Sequence, residues 1–299
     1  MPQQSLYIDV DNGHQLHIRH IYSEHANDQT NVPILMVHGA IENGRIFYST
    51  SGKGLGPYLA ENGFDVYVMD MRGRGLSTPK INAESDFGQY ETINIDLPAC
   101  IDFVWQRCGQ PMQLISHSWG GVLLASLLAR YPSYLDQVRS NICFGTKRSI
   151  TRQTLEKVLK VDIMWNRLLP FVAKQVGYFD AKKWRVGADS ETRQSLAHSV
   201  AWVKRAPWID PRDGFDYGHA AGLLNWPPTW HLTGVNDSLL GHAQDVKHFI
   251  EESNNLTAKF SLLGTTHGNL VDYDHNDILT HPKARADHFP QLVTWLKQH

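Results

Sequence analysis

Met112-Gln-Leu-Ile-Ser-His-Ser-Trp-Gly-Gly121 is a short apolar run that meets small residues at Ser116, Gly120 and Gly121, with Ser118 between them. A nearly all-apolar helical stretch, 122–129, follows. This layout is that of a nucleophile elbow, in which a serine is held on a sharp strand-to-helix turn with its hydroxyl exposed. The backbone packs so closely there that its neighbours must be small. The core of the motif, Ser116-His-Ser118-Trp-Gly120, departs from G-x-S-x-G only at its first position, and serine is still small.

Outward from the elbow, strand-like and helix-like runs alternate. Residues 6–10 and 15–22 alternate in polarity around Asp11-Asn12-Gly13, the pattern of a hairpin. A polar loop is expected over 25–31. Residues 32–37 and 64–69 are continuous apolar runs, hence buried strands, separated by a short helix over 55–62 that Gly63 stops. Leu97, Ile101, Val104 and Cys108 recur at helical spacing, with Pro98 in the first turn. A strand over 138–144 follows the central helix. After 226 the alternation resumes with a strand at 229–233, a helix at 241–253, a strand at 257–263 and a final amphipathic helix at 289–296. This order predicts an α/β fold, a mostly parallel sheet with helices on both faces.

The stretch 151–226 reads differently. It holds several helical patterns, five of the nine tryptophans and a surplus of four positive charges. It is expected to be a helical cap inserted between two parts of a core domain, 1–150 and 227–299. Irregularly spaced tryptophans pack a cap's own core more often than they line a pocket, yet a cap over a site leaves an apolar cavity. The positive surplus is read as a solvated face.

Composition bounds the function. The chain has 299 residues, 42% hydrophobic and 19% charged, with a formal net charge of −2. That balance offers no electrostatic case for nucleic acid. No run approaches the ~18 apolar residues of a membrane span, and no signal-like apolar core follows the N-terminus. Cys100 and Cys108 lie about 12 Å apart on one predicted helix, too far to bridge, so the three thiols are expected to be free in a cytoplasmic protein.

A serine hydroxyl becomes a nucleophile only when a base takes its proton and a carboxylate orients that base. Asp237 follows the strand ending near Thr233, and His267 follows the strand ending near Leu263, both at strand C-termini where ligands bind in open parallel sheets. Among 16 histidines, His275, His281 and His288 also lie downstream, but only His267 directly follows a predicted strand. The loop Gly145-Thr-Lys-Arg148 offers no competing carboxylate. His38-Gly39-Ala40 closes an earlier strand. The N–H groups of Ala40 and Trp119 are expected to form an oxyanion hole, with His38 and Gly39 at the substrate. The acids and histidines between 267 and 288 fit no compact metal motif, and such a site needs no cofactor.

With these residues assembled, the chain resembles α/β-hydrolase fold proteins from about residue 6 to 297. His38-Gly39, Asp70-x-Arg72-Gly73-x-Gly75-x-Ser77, Ser118, Asp237 and His267 fall in that family's order. The segments 94–118 and 59–65 are similar to acid lipases of the lysosomal and gastric type. The resemblance implies a serine hydrolase of carboxylic esters with Ser118, Asp237 and His267 as its triad, and the cavity expected under the aromatic cap points to a small-molecule ester with an apolar acyl or aryl group. Ser116 in place of the family's glycine and Trp119 in place of the acid lipases' glutamine bear on substrate choice more than on the triad. A thioesterase, an acyltransferase, a proline-iminopeptidase-like peptidase or a non-catalytic ligand-binding protein remain alternatives. Oligomeric state is not readable.

Overall fold

The structure, a computed structural model, describes residues 1–24, 31–151, 153–204 and 207–299. All but the last residue of the loop expected over 25–31 therefore lies outside the described residues. Eight strands form one sheet in the order β1-β2-β4-β3-β5-β6-β9-β10. Their ranges are β1 Gln3–Asp9, β2 Gln15–Ile21, β3 Pro33–Val37, β4 Asp65–Asp70, β5 Met112–His117, β6 Val138–Phe144, β9 Thr229–Gly234 and β10 Lys259–Leu263. The hairpin β1–β2 is antiparallel to itself and to β4, and the remaining pairs are parallel.

The middle of the sheet is buried on both faces, which is why β3 and residues 66–69 of β4 are continuously apolar. Alternate residues go to opposite sides. Leu35 and Val37 join one core cluster, under the helices α2 (Leu97–Cys108) and α3 (Trp119–Arg130). Ile34 and Met36 join another, under α1 (Leu55–Glu61) and the C-terminal helix Phe289–Gln298. Each fully buried Leu or Ile contributes roughly 1.5–3 kcal/mol relative to exposure. The α2 helix ends where Gly109 takes up φ +65°, as its sequence position suggested. It begins earlier than the apolar spacing implied, because helical winding starts at Gln89 and passes through a wider π segment, Thr92–Asp96. Pro98 then sits where this π winding passes into the regular α-helix.

From β3 the chain steps to one side to make β4 and then crosses to the other to make β5. The order reverses between β3 and β5, and ligands bind open α/β sheets at such a switch point, beyond the strand C-termini.

Between β6 and β9 the chain is mostly helical. It holds the π-wound segment Val158–Leu168, α4 (Leu169–Val176), α5 (Arg193–Val203) and α6 (Tyr217–Ala221). It also contains a two-stranded ribbon, β7 (Tyr178–Phe179) with β8 (Glu191–Thr192), too short to leave a strand pattern in the sequence. Its packing is divided. Leu169, Ala173, Phe179, Ala181, Leu196 and Val200 form a small core of their own. Trp202, Trp208 and Tyr217 instead belong to the main core, where Trp208 packs on Phe249 with ring centroids 5.5 Å apart. The part of the expected cap from Trp202 onward therefore packs with the core. Among the described residues no helix is long and apolar enough to cross a membrane, and the three cysteines are free.

Candidate active site

Ser118 stands between β5 and α3 with φ 51° and ψ −122°, a backbone conformation that costs a non-glycine residue about 1–3 kcal/mol. Its N–H donates to Phe144 O at 2.7 Å, and its carbonyl accepts from Gly121 N at 3.2 Å. The turn is tight enough that a Cβ on Gly120 would lie 2.4 Å from His38 O. That contact explains why glycine is required at the end of the pentapeptide. At its start, Ser116 is fully buried and its hydroxyl reaches Ile142 O at 3.4 Å, so a small polar residue takes the place of the usual glycine.

Asp237, just after β9, is the carboxylate the sequence pointed to. Its Oδ1 accepts from Gly241 N at 2.7 Å and its Oδ2 from a histidine Nδ1 at 2.6 Å. That histidine is His275. Burial raises the Asp237 carboxyl, but the charge and hydrogen bond of His275 and the Gly241 N–H outweigh it and hold the group below its usual range. Burial lowers the His275 imidazole more than Asp237 raises it. The pair is thus an ionised carboxylate and a neutral ring with its proton on Nδ1, which leaves Nε2 as an acceptor. Ser118, Asp237 and His275 line a single cavity of about 770 Å³.

His267, expected as the base, is elsewhere. Immediately after β10 the chain folds into a 3-10 turn, Thr265–His267, closed by Gly268 at φ +90°. This turn leaves His267 exposed, with Nδ1 3.0 Å from Thr266 Oγ1. The chain then doubles back along the end of β9. Asn236 N donates to Tyr273 O at 2.9 Å, and Asn236 Nδ2 to Asp272 O at 2.8 Å. Gly234 makes the approach possible, since a Cβ there would lie 2.0 Å from Tyr273 O. Docking 272–273 on β9 carries His275 over Asp237. Strand proximity in sequence pointed to His267, whereas the returning loop sets His275 against Asp237. Gly234 before the acid loop was a legible hint of a close backbone approach, but it named no partner.

The two residues expected at an oxyanion hole are both on the cavity wall. Ala40 and Trp119 both line the cavity beside Ser118. The Trp119 N–H opens α3, so it has no intrahelical acceptor. The Trp119 indole is 6% exposed and donates to Gln89 Oε1 at 3.3 Å. His38 and Gly39 do not reach the substrate space. His38 is fully buried, its Nε2 accepting from Met71 N at 3.0 Å and its Nδ1 donating to Gly39 O at 2.8 Å. Gly39 N donates to Glu42 Oε2 at 3.0 Å. They shape the loop and leave the cavity wall to Ala40 and Ile41.

Two residues absent from the sequence argument tie the site together. His117, next to the nucleophile, is fully buried. Its Nδ1 is 2.8 Å from Glu42 Oε2, and its Nε2 is 2.9 Å from His275 O. Both partners accept and neither donates, so His117 carries both ring protons beside an ionised Glu42. The Glu42 carboxyl is pushed down to about 2: burial raises it, but the charge and hydrogen bond of His117 outweigh that. His117 moves up, with burial opposing and Glu42 prevailing. One buried ion pair thereby joins the Gly39 loop, the elbow and the base loop. No sequence signal marks Glu42, because the pairing spans 75 positions.

The Asp70-x-Arg72-Gly73-x-Gly75-x-Ser77 motif is scaffold. Asp70 accepts from Gly44 N at 2.7 Å, from Leu76 N at 2.9 Å and from His17 Nδ1 at 2.8 Å, while buried Arg72 pairs with Asp96. Among the described residues no group of three or more His, Cys, Asp or Glu side chains is placed to hold a metal ion.

The comparisons with known proteins agree with this architecture. The family model described as alpha/beta hydrolase fold matches residues 32–180. Gastric triacylglycerol lipase of Bos taurus is 21% identical, covering 89% of this chain and 80% of its own length. Triacylglycerol lipase 1 of Arabidopsis thaliana is 25% identical, covering 97% of this chain and 86% of its own. Among solved structures, a soluble variant of monoglyceride lipase from Saccharomyces cerevisiae, in complex with a substrate analog, superposes with a TM-score of 0.73. It is 16% identical and covers 100% of this chain and 96% of its own. The chain has the α/β-hydrolase fold.

Proposed function

We propose that this protein is a serine hydrolase of carboxylic esters, with Ser118 as nucleophile, His275 as general base and Asp237 as the group that orients the base. The carrying observation is the Asp237–His275 hydrogen bond of 2.6 Å on the wall of the cavity that Ser118 also lines. His275 Nε2 takes the Ser118 proton as Oγ attacks the ester carbonyl. The oxyanion that forms is held by the Ala40 and Trp119 N–H groups. The imidazolium returns its proton to the leaving alcohol, and water repeats the sequence on the acyl-enzyme.

The lipase names of the relatives support an ester as the bond cleaved. Residues 153–200 act in this reading as a cap, because Val161, Met164, Trp165 and Leu169 supply apolar wall to the cavity that Ser118 lines. The free thiols fit a reducing compartment such as the cytoplasm.

A fluorophosphonate probe is expected to label the wild type and not Ser118→Ala; equal labelling of both would overturn the assignment of the nucleophile. Thioesters and aminoacyl amides assayed beside esters rank the leaving groups.

A further inference from the structure

Lys147 lies three residues beyond the end of β6, on the wall of the cavity that holds Ser118. It is 6% exposed. Its neighbour Arg148, equally buried, is fully engaged: Nε donates to Glu252 at 2.7 Å and Nη1 to Trp202 O at 2.6 Å. Lys147 differs. Among the described residues no acceptor lies within hydrogen-bonding distance of its ammonium.

The acids around it hydrogen-bond other groups, and among the described residues none of them hydrogen-bonds Lys147. Asp237 is taken by Gly241 and His275. Asp245, on the helix Ala243–Glu252, accepts from Thr151 N at 2.8 Å and Thr151 Oγ1 at 2.6 Å, and its other oxygen is buried without a partner. Glu42, across the cavity, is held by His117 and Gly39. Asp274 caps the backbone N–H groups of Asn276 and Asp277. Asp237 and Asp245 act on Lys147 through charge alone, and burial lowers its basicity despite them. An ammonium on a largely buried wall with no protein acceptor is costly, and the cost is relieved when an anion enters.

We propose that Lys147 is an anion-binding residue of this cavity and that the preferred ester carries a carboxylate, on its acyl or its alcohol side, that pairs with the ammonium. This rests on the ester-hydrolase reading above and narrows its substrate class.

The test compares kcat/KM for three esters of similar size: phenyl butanoate, monophenyl succinate and 3-carboxyphenyl butanoate. The wild type is expected to favour one charged ester over the neutral one by about tenfold or more, as for a hydrogen bond between charged groups. Whichever is favoured tells which side bears the carboxylate. In Lys147→Met that ratio is expected to fall to near one through KM, and Lys147→Arg is expected to restore part of it. Wild-type preference for the neutral ester, or an equal loss on all three in Lys147→Met, overturns the proposal. A second measurement does not depend on turnover. Glutarate titrated calorimetrically is expected to bind Ser118→Ala and not the variant that also carries Lys147→Met. No binding to Ser118→Ala overturns the anion site. Absence of turnover of any ester, with glutarate still bound through Lys147, would instead overturn the hydrolase reading alone.

Discussion

His267 and His275 lie on one loop, eight residues apart, and differ in almost every physical respect. His267 sits on a 3-10 turn whose backbone bonds stay local, His267 N to Gly264 O at 2.9 Å, and its ring faces solvent. His275 lies where the same loop has been captured by β9. It is hydrogen-bonded to Asp237, and its ring centroid is 4.7 Å from that of buried His117. An imidazole becomes a useful base when a carboxylate fixes its tautomer and water is kept away. The distinction is therefore made by what the backbone of 272–273 docks on, and hardly at all by the residue type.

The largest expected effect separates the two directly. His275→Ala should lower kcat on a p-nitrophenyl ester by about 10³-fold or more, while His267→Ala stays within about twofold. The reverse result in the same assay would restore the strand-adjacent histidine. Asp237→Asn comes next. It preserves shape but lets the imidazole take the wrong tautomer, and a loss of about 10²–10⁴-fold in kcat with KM little changed is expected.

The third test addresses the support beneath His275. Glu42→Gln removes the charge opposite the His117 imidazolium while leaving an amide oxygen for Gly39 N–H. A loss of about 10- to 100-fold is expected, carried by kcat. An effect confined to thermal stability would reduce the pair to scaffolding.

The fourth is the pH profile. The imidazole must be neutral to act, and burial lowers its pKa from the ordinary 6.5, with the His117 and Lys147 charges acting in the same direction and Asp237 opposing. Activity should persist as pH falls through 6.5 and decline only below it. An acidic limb centred above that value would contradict the burial seen here. The smallest effect is expected from Trp119→Phe. Losing the indole bond to Gln89 should shift preference among acyl chain lengths by a few-fold, read from a series of graded p-nitrophenyl esters.

The two loops also show how much was legible beforehand. Strands over 32–37 and 64–69 announced themselves, because a strand buried on both faces is apolar nearly throughout, as Pro33–Val37 and 66–69 are. Gly120 was legible for a related reason: only glycine permits the carbonyl of His38 to approach so closely. The short ribbon β7–β8 was not, since two-residue strands carry no period. Nor was the role of His38, whose ring is spent on Met71 N–H and Gly39 O.

Local pattern and chain order were enough to read the alternation of strands and helices, the sharp turn at Ser118 and the carboxylate of Asp237 beyond its strand. Which histidine meets that carboxylate was set by contacts between distant segments. Contacts of that kind also bind three loops together through Glu42 and His117 and leave Lys147 without an acceptor among the described residues. Each of those follows from contacts between segments far apart in the chain. Their energies come from burial and hydrogen bonding that exist only once the sheet has brought its strand ends to one edge.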